Sequence, residues 1–473
     1  MFLKENTSSS MKINKDKITK RLSKLDIEKG SYATKFIKRR DGKINGELYV
    51  ASFFFMILSG GTTLYNWTLQ LCRLVDGLKL SEQGLERKLE FRQVNFAKWL
   101  LSKSLRTQLN TVVSSSKGNK PEELEKTALD LKHFNRVLLQ DSTCINVPKN
   151  LADFFPSSFV KQGKSATARI QLTMDLLSDN YEQISLGSFR DNDACPETSV
   201  GKASDSILEI IQPKDLILRD KGYWSLNVFK AIDEHEAYFL SRLKYGVNLY
   251  NEQNNEQNND KLDLKKIFQK AKKNNLSYID LSVSLGTKSR LKARLVAIRL
   301  PKEVADERRR KAKKDRHSKV NHTDDYYERL DWCIFVTNIP VMKLTAMQVA
   351  KVYRFRWRIE IIFKVWKSKF NFDGMFNKAS MKPSRAIITF YLLLAWLTLF
   401  FTRLYNYFLI KVFNQVQRFI SIFKFAEFLV VFMQDEKGID KLMDNPDDFI
   451  DLVISFCLYD KRKRLNQMEL IYC

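Results

Sequence analysis

The chain has 473 residues, 44% of them hydrophobic, and carries 80 Lys and Arg against 54 Asp and Glu, a formal net charge of +26. That length holds two or three domains with a large core, and that charge calls for an anionic partner, nucleic acid first and a membrane surface second. Six cysteines without a CxxC pair and only four histidines exclude a zinc-finger spacing and suit a reducing compartment, and the polar residues 1–17 lack the apolar segment of a secretory leader, so a cytoplasmic location is expected.

Residues 1–30 are charged and rich in Ser, and residues 30–110 carry a helical pattern. Residues 49–58 are apolar but too few to span a bilayer, and Trp67, Leu71, Val75 and Leu78 form an amphipathic run. Ser81 is placed to cap a helix in which Leu85 and Leu89 stand one turn apart. Residues 94–105 then bring Phe96, Trp99 and Leu100 to one side. Short helices with tight turns and basic flanks describe either a helix-turn-helix module that reads DNA or a plain helical packing domain. The turn-rich residues 114–121 are a linker.

A strand follows over residues 134–147, with Asp141 at its centre. An ionised carboxylate among apolar neighbours needs a partner or a metal, unless the strand lies at an edge and the acid faces water. Residues 168–177 and 181–189 alternate about Ser178-Asp179-Asn180, which signals a hairpin. Residues 199–211 read as a crossover helix, and residues 214–219 as a short apolar strand ending at Asp220 and a Gly222 turn. An acid at the C-terminal end of such a strand lies where open α/β sheets place ligands. Asp215 competes, but it begins the apolar run that Asp220 ends.

Residues 225–235 are expected to form a helix and residues 237–250 a strand, with an Asn/Gln/Glu-rich loop at 251–260. Residues 278–285 and 291–300 read as strands. Residues 306–321 are dense in Arg and Lys, either a solvated helix face or a phosphate-contacting surface. Residues 329–338, containing Trp332, are a returning strand.

Residues 353–367 contain no Gly or Pro. At roughly 100° per residue, Tyr353, Arg356, Glu360, Lys364 and Lys367 fall within about 80° on one face of a helix. Phe355, Ile359, Ile362, Phe363, Trp366 and Phe370 form the apolar arc beside and behind them. By geometry alone this is also what a surface helix with an i,i+4 Arg356–Glu360 ion pair looks like. Residues 386–402 carry no charge, but about 20 such residues are needed to span a membrane. Flanking Arg385 and Arg403 favour a buried core helix and no membrane. The last stretch is amphipathic, and Phe419, Ile420, Phe423, Phe428, Leu429 and Phe432 are a candidate contact surface.

The order Tyr353, two residues, Arg356, three residues, Glu360, six residues, Lys367 resembles the signature of bacterial insertion-sequence DDE transposases of the Y-R-E-K branch, the insertion sequence 4 family. Leu218-Arg219-Asp220-Lys221-Gly222-Tyr223 resembles that family's second-aspartate motif. The resemblance spans roughly residues 40–410 and implies an α/β fold with an RNase H-like catalytic core at 126–240 and 331–410. A mostly β insertion domain at 241–330, a helical DNA-binding domain at 1–125 and a helical C-terminal dimerisation region at 411–473 go with it.

The resemblance implies that Asp141, Asp220 and Glu360 are the catalytic carboxylates and hold two Mg²⁺ (or Mn²⁺) ions. Such ions offset the negative charge that gathers on oxygen during phosphodiester cleavage. Arg356 and Lys367 would hold phosphates, Tyr353 would donate to the terminal phosphate, and Lys364 would contact DNA. Trp332 would stack a flipped base, although a strand Trp serves as readily in a core. The expected activity is cut-and-paste transposition through a DNA hairpin, on the element's terminal inverted repeats and target DNA. A homodimer on DNA and a nucleoid-associated location accompany it. An RNase H-like nuclease without strand transfer, or a non-catalytic repressor derived from a transposase, are the alternatives.

Overall fold

The computed structural model describes residues 22, 25–37, 44–107, 131–157, 165–189, 206–251, 261–314, 323–376, 378, 381–432, 441–442, 445–461 and 468. The linker at 114–121, residues 199–205 of the expected crossover helix, residues 252–260 of the Asn/Gln-rich loop and residues 315–321 of the basic run lie outside them.

Among the described residues, the first helices are α1 (Ile27–Ala33), α2 (Gly46–Leu58), α3 (Leu64–Leu74), α4 (Glu82–Lys88) and α5 (Phe91–Thr107). Their starts are set by side chains. Asn45, Thr63 and Ser81 accept hydrogen bonds from the backbone N–H of Leu48, Asn66 and Gly84, groups with no partner inside the helix. Nearly every residue of α2 is buried, which makes it the centre of this bundle. Phe96 stacks on Phe36 at 4.5 Å, and Tyr49 lies 5.1 Å from Trp67. Gly30 lets α1 approach α5, because a Cβ there would stand 2.3 Å from the Trp99 ring.

Next come β1 (Val137–Val147), β2 (Ala166–Asp175), β3 (Tyr181–Ser188), β4 (Leu216–Arg219), α6 (Leu226–Glu234), β5 (Tyr238–Arg242) and β6 (Leu249–Asn251). They are followed by α7 (Leu264–Lys273), β7 (Tyr278–Leu285), β8 (Leu291–Arg299), α8 (Lys302–Lys314), α9 (Asp324–Arg329) and β9 (Trp332–Thr337). The nine strands among the described residues form one sheet, in the order β3-β2-β1-β4-β5-β9-β8-β7-β6. β1, β4 and β5 run parallel, and the other pairings are antiparallel.

Two sequence expectations change here. The strand expected over 237–250 is two strands, separated by a turn in which Gly246 takes φ +84°. The strands of the expected insertion, β6, β7 and β8, belong to the same sheet. β9 pairs with β5 on one side and with β8 on the other, so backbone hydrogen bonding runs on into β8, β7 and β6. Of the expected crossover helix, the described part is a short 3₁₀ turn, Ile207–Glu209.

The last group is α10 (Ala346–Tyr353), a 3₁₀ turn Arg354–Arg356, α11 (Trp357–Ser368), α12 (Pro383–Trp396), α13 (Thr402–Val416), α14 (Ile422–Phe432) and α15 (Ile450–Cys457). A π turn, Leu397–Phe401, joins α12 to α13. The resulting 34-residue helix is long and apolar enough to cross a membrane, yet 83% of its most apolar stretch is buried inside the protein. α12 is clasped by the N-terminal bundle. Arg385 pairs with Glu86 at 2.8 Å and the Ser384 hydroxyl donates to the Leu89 carbonyl at 2.6 Å.

Side chains alternate across the sheet, so each face has its own core. Leu139, Leu218, Leu240 and Phe335 pack with Tyr353, Ile359 and Phe363 and join the N- and C-terminal helices in one cluster. On the other face, Leu138, Ile217, Phe239 and Val336 pack with Phe229 and Ile232 of α6 and Phe268 of α7. The face under α10 and α11 is the one that carries the acids.

Candidate active site

Register sets the site. Gln140 of β1 lies opposite Arg219 of β4, and Arg219 lies opposite Ser241 of β5. One residue further on, Asp141, Asp220 and Arg242 follow in a row across three neighbouring strands. They stand two residues beyond Leu139, Leu218 and Leu240, which point into the core beneath α11. By the two-residue period they share that face. Adjacent strands are about 4.8 Å apart, so the two acids are close neighbours at the C-terminal ends of parallel strands. β4 stops there because Asp220 caps the 3₁₀ turn Lys221–Tyr223, accepting from the Gly222 N–H at 3.5 Å.

The third acid arrives on α11. The Arg356 guanidinium donates through Nη1 to Asp141 Oδ2 at 3.1 Å and through Nη2 to Glu360 Oε1 at 2.5 Å. The Asp141 carboxyl is pushed up to about 6. Burial is the main cause, and the charges of Glu360 and Asp220 add to it. The Ser142 N–H, 2.8 Å from Oδ1, and Arg356 pull the other way.

Asp215, the rival acid, is wholly buried at the start of β4, paired with Arg136 at 2.5 Å and accepting from the Gln212 N–H at 2.8 Å. It faces no open site.

The other expected residues divide. Tyr353 is buried, and its hydroxyl donates to the Arg219 carbonyl at 3.3 Å, directly behind Asp220. Burial pushes its phenol up to about 12. Its ring packs on Phe335, with the guanidinium carbons of Arg242 and Arg356 at 5.7 and 5.8 Å from its centre. Lys367 Nζ donates to the Cys144 carbonyl at 2.7 Å, further along β1 than Asp141. Lys364 is exposed, with its ammonium 5.5 Å from the Phe423 ring.

Trp332 is a correction. Its indole is 2% exposed and stacks on Phe268 at 5.1 Å in the core of the opposite face. Phe335, three positions later on β9, is the residue that turns toward Tyr353. Trp332 therefore offers no free ring to a base.

Two residues escaped the sequence reading. Arg358 is 1% exposed, 3.5 Å from Asp179 of the β2–β3 turn and hydrogen-bonded to the Tyr405 hydroxyl at 3.3 Å. No local signal separates it from the other basic residues of its helix. Arg242 lay inside the strand expected over 237–250, and only the observed end of β5 marks it out.

Hard carboxylate oxygens are the donors that Mg²⁺ or Mn²⁺ takes, and Arg356 draws two of the three acids, Asp141 and Glu360, to one guanidinium. As they stand, Arg356 fills the gap between Asp141 and Glu360. Among the described residues no three Asp, Glu, His or Cys side chains are grouped to hold an ion.

The profile of the transposase DDE domain family matches residues 132–376. The transposase for insertion sequence element IS231B of Bacillus thuringiensis subsp. berliner is 28% identical over 349 residues, 71% of this chain and 68% of its own. The transposase for element IS231C of the same subspecies is 28% identical over 351 residues, covering 71% and 68%. That for element IS1151 of Clostridium perfringens is 27% identical over 368 residues, covering 74% and 72%.

Proposed function

Because the chain belongs to the transposase DDE domain family, and is thus an enzyme acting on DNA, we propose that it excises its own mobile element and joins it to target DNA. It binds the element's terminal inverted repeats and uses Asp141, Asp220 and Glu360 for phosphodiester hydrolysis and then strand transfer. The observation that carries this reading is the Arg356 guanidinium bound to both Asp141 and Glu360, with Asp220 beside Asp141 on the neighbouring strand by register. The parallel β1–β4–β5 unit flanked by the β2–β3 hairpin supports an RNase H-like core. The Tyr353, Arg356, Glu360 and Lys367 spacing supports the Y-R-E-K branch.

Two Mg²⁺ or Mn²⁺ ions held by the three carboxylates would supply activation of the attacking oxygen and neutralisation of the leaving one. The chain's own residues do the rest. Arg356 holds Asp141 Oδ2 and Glu360 Oε1 toward each other, and its fork is suited to take a phosphate once those acids have another cation. Tyr353 fixes the end of β4, and so Asp220, through the Arg219 carbonyl. Lys364 and Lys367 add positive charge along the approach of the backbone.

Joining two ends to one target calls for both ends in one assembly, which favours a two-fold dimer on DNA. Val431 of α14 and Leu452 and Phe456 of α15 are exposed apolar residues on the helices proposed to meet. A cytoplasmic, nucleoid-associated location goes with this role.

The test is Mg²⁺-dependent nicking and joining of a duplex carrying the inverted repeat that flanks the gene. Glu360→Gln is expected to abolish both steps while end binding, which rests on phosphate contacts elsewhere, stays nearly intact. Nicking without any joining would mark a nuclease, and end binding without nicking a repressor.

A further inference from the structure

We infer that Arg242 is a phosphate-binding residue of this active site, holding a DNA backbone phosphate beside Asp220; the assignment rests on the function proposed above. Three observations meet here. The register puts Arg242 in the row of Asp141 and Asp220, on the same face and at the same end of the sheet. Its guanidinium lies 5.7 Å from the ring centre of Tyr353, whose hydroxyl is bound behind Asp220, so the cation stands at the acids' edge. Finally, its Nε is buried with no hydrogen-bond partner, and among the described residues no carboxylate lies within ion-pair distance of it.

The neighbouring cations differ. Arg356 is taken by two carboxylates and Lys367 by the Cys144 carbonyl. Arg242 has an aromatic face, its Nε is buried without an acceptor, and among the described residues its guanidinium makes no ion pair. A partly buried guanidinium with unmet donors is unfavourable unless a ligand supplies the acceptors. The planar fork matches two oxygens of a phosphodiester. A phosphate seated there would lie next to Asp220, on the side of the row away from Asp141. Arg242 and Arg356 would then take different phosphates of one strand.

The experiment compares wild type with Arg242→Gln and Arg242→Lys by fluorescence anisotropy on the flanking inverted-repeat duplex. The same duplex is also prepared with a single methylphosphonate at each phosphate near its end in turn. Arg242→Gln is expected to flatten the slope of log affinity against log salt by about one. One particular methylphosphonate is expected to weaken wild type roughly tenfold and leave Arg242→Gln unaffected, the mark of a contact already lost. Arg242→Lys keeps the charge and is expected to restore the slope but not the full affinity.

The assignment is overturned if Arg242→Gln keeps the wild-type slope and responds to every methylphosphonate as wild type does. It is also overturned if Arg242→Gln and Arg242→Lys both lose binding at all positions alike with a lowered melting temperature, which would make Arg242 a packing residue. Failure of the parent reading looks different: wild type itself would not nick the duplex with Mg²⁺. The phosphate map, repeated on a duplex of unrelated sequence, decides Arg242 in that case as well.

Discussion

Arg356 and Asp141 lie 215 residues apart in the chain, yet Nη1 of one is 3.1 Å from Oδ2 of the other, and the same guanidinium also holds Glu360. The acid cluster therefore contains a cation of its own. A divalent ion seeking Asp141 and Glu360 must compete with it.

Removing that competitor has a measurable consequence. Charge-assisted hydrogen bonds are worth about 1.5–3 kcal/mol each, and about 1.4 kcal/mol is a factor of ten. Arg356→Ala is expected to bind Mn²⁺ about tenfold more tightly than wild type without DNA, by titration calorimetry, while losing nicking. Equal Mn²⁺ affinities would show that the guanidinium does not guard the acids.

Asp141 links the site to stability. Burial, and then the charges of Glu360 and Asp220, push its carboxyl up from 3.8 to about 6. The folded state thus holds the proton more tightly than the unfolded chain. The contribution of this group to stability falls as pH rises from about 4 to about 6, by up to about 3 kcal/mol, and stays lost above. Asp141→Asn removes that penalty but takes a partner from Arg356. In metal-free buffer it is expected to raise unfolding free energy by about 1–2 kcal/mol at pH 7.5 and to give no gain at pH 4. Denaturant titrations at the two pH values check it, and a variant less stable than wild type at pH 7.5 would contradict the raised carboxyl.

Trp332 separates a packing residue from a stacking one. Emptying its place beside Phe268 is expected to destabilise the protein by about 3–5 kcal/mol for Trp332→Ala. Trp332→Phe keeps most of the packing and is expected to bind and cleave ends much as wild type does. A specific loss of hairpin cleavage by a stable Trp332→Phe would restore the stacking role.

What was legible in the sequence follows from locality. The column of Tyr353, Arg356 and Glu360 is a matter of helical period, and Asp220 stands out because an apolar run ends on it. Both are read within a dozen residues. The face that Trp332 takes depends on how β9 pairs with β5 and β8, which come from other parts of the chain. A one-residue change of register would have turned it toward Tyr353. The merging of the insertion into the main sheet has the same non-local origin. The expected single helix breaks after Tyr353 at the 3₁₀ turn Arg354–Arg356, and the burial of Tyr353 against Phe335 and its bond to the Arg219 carbonyl depend on two strands that no helical wheel contains.

Arg358 is the strongest case of hidden tertiary content, and it carries the last prediction. It sits two residues before Glu360 on α11 and is buried between Asp179, in a turn with φ +54°, and Tyr405 of α13. These contacts fix the rotation of α11 about its axis, and with it the direction in which Glu360 points. Arg358→Ala would take the guanidinium away from the buried Asp179 carboxylate, a loss of about 3–5 kcal/mol. Replacing both partners by uncharged groups of similar size, Arg358→Met with Asp179→Asn, removes the buried carboxylate's charge as well and is expected to recover at least half of that loss in denaturant unfolding. The recovered protein should still bind end DNA but nick it more slowly, because α11 is no longer held in one rotation. A double variant as unstable as Arg358→Ala would mean that the pair acts through packing alone. Full nicking by a stable double variant would separate the pair from the orientation of Glu360.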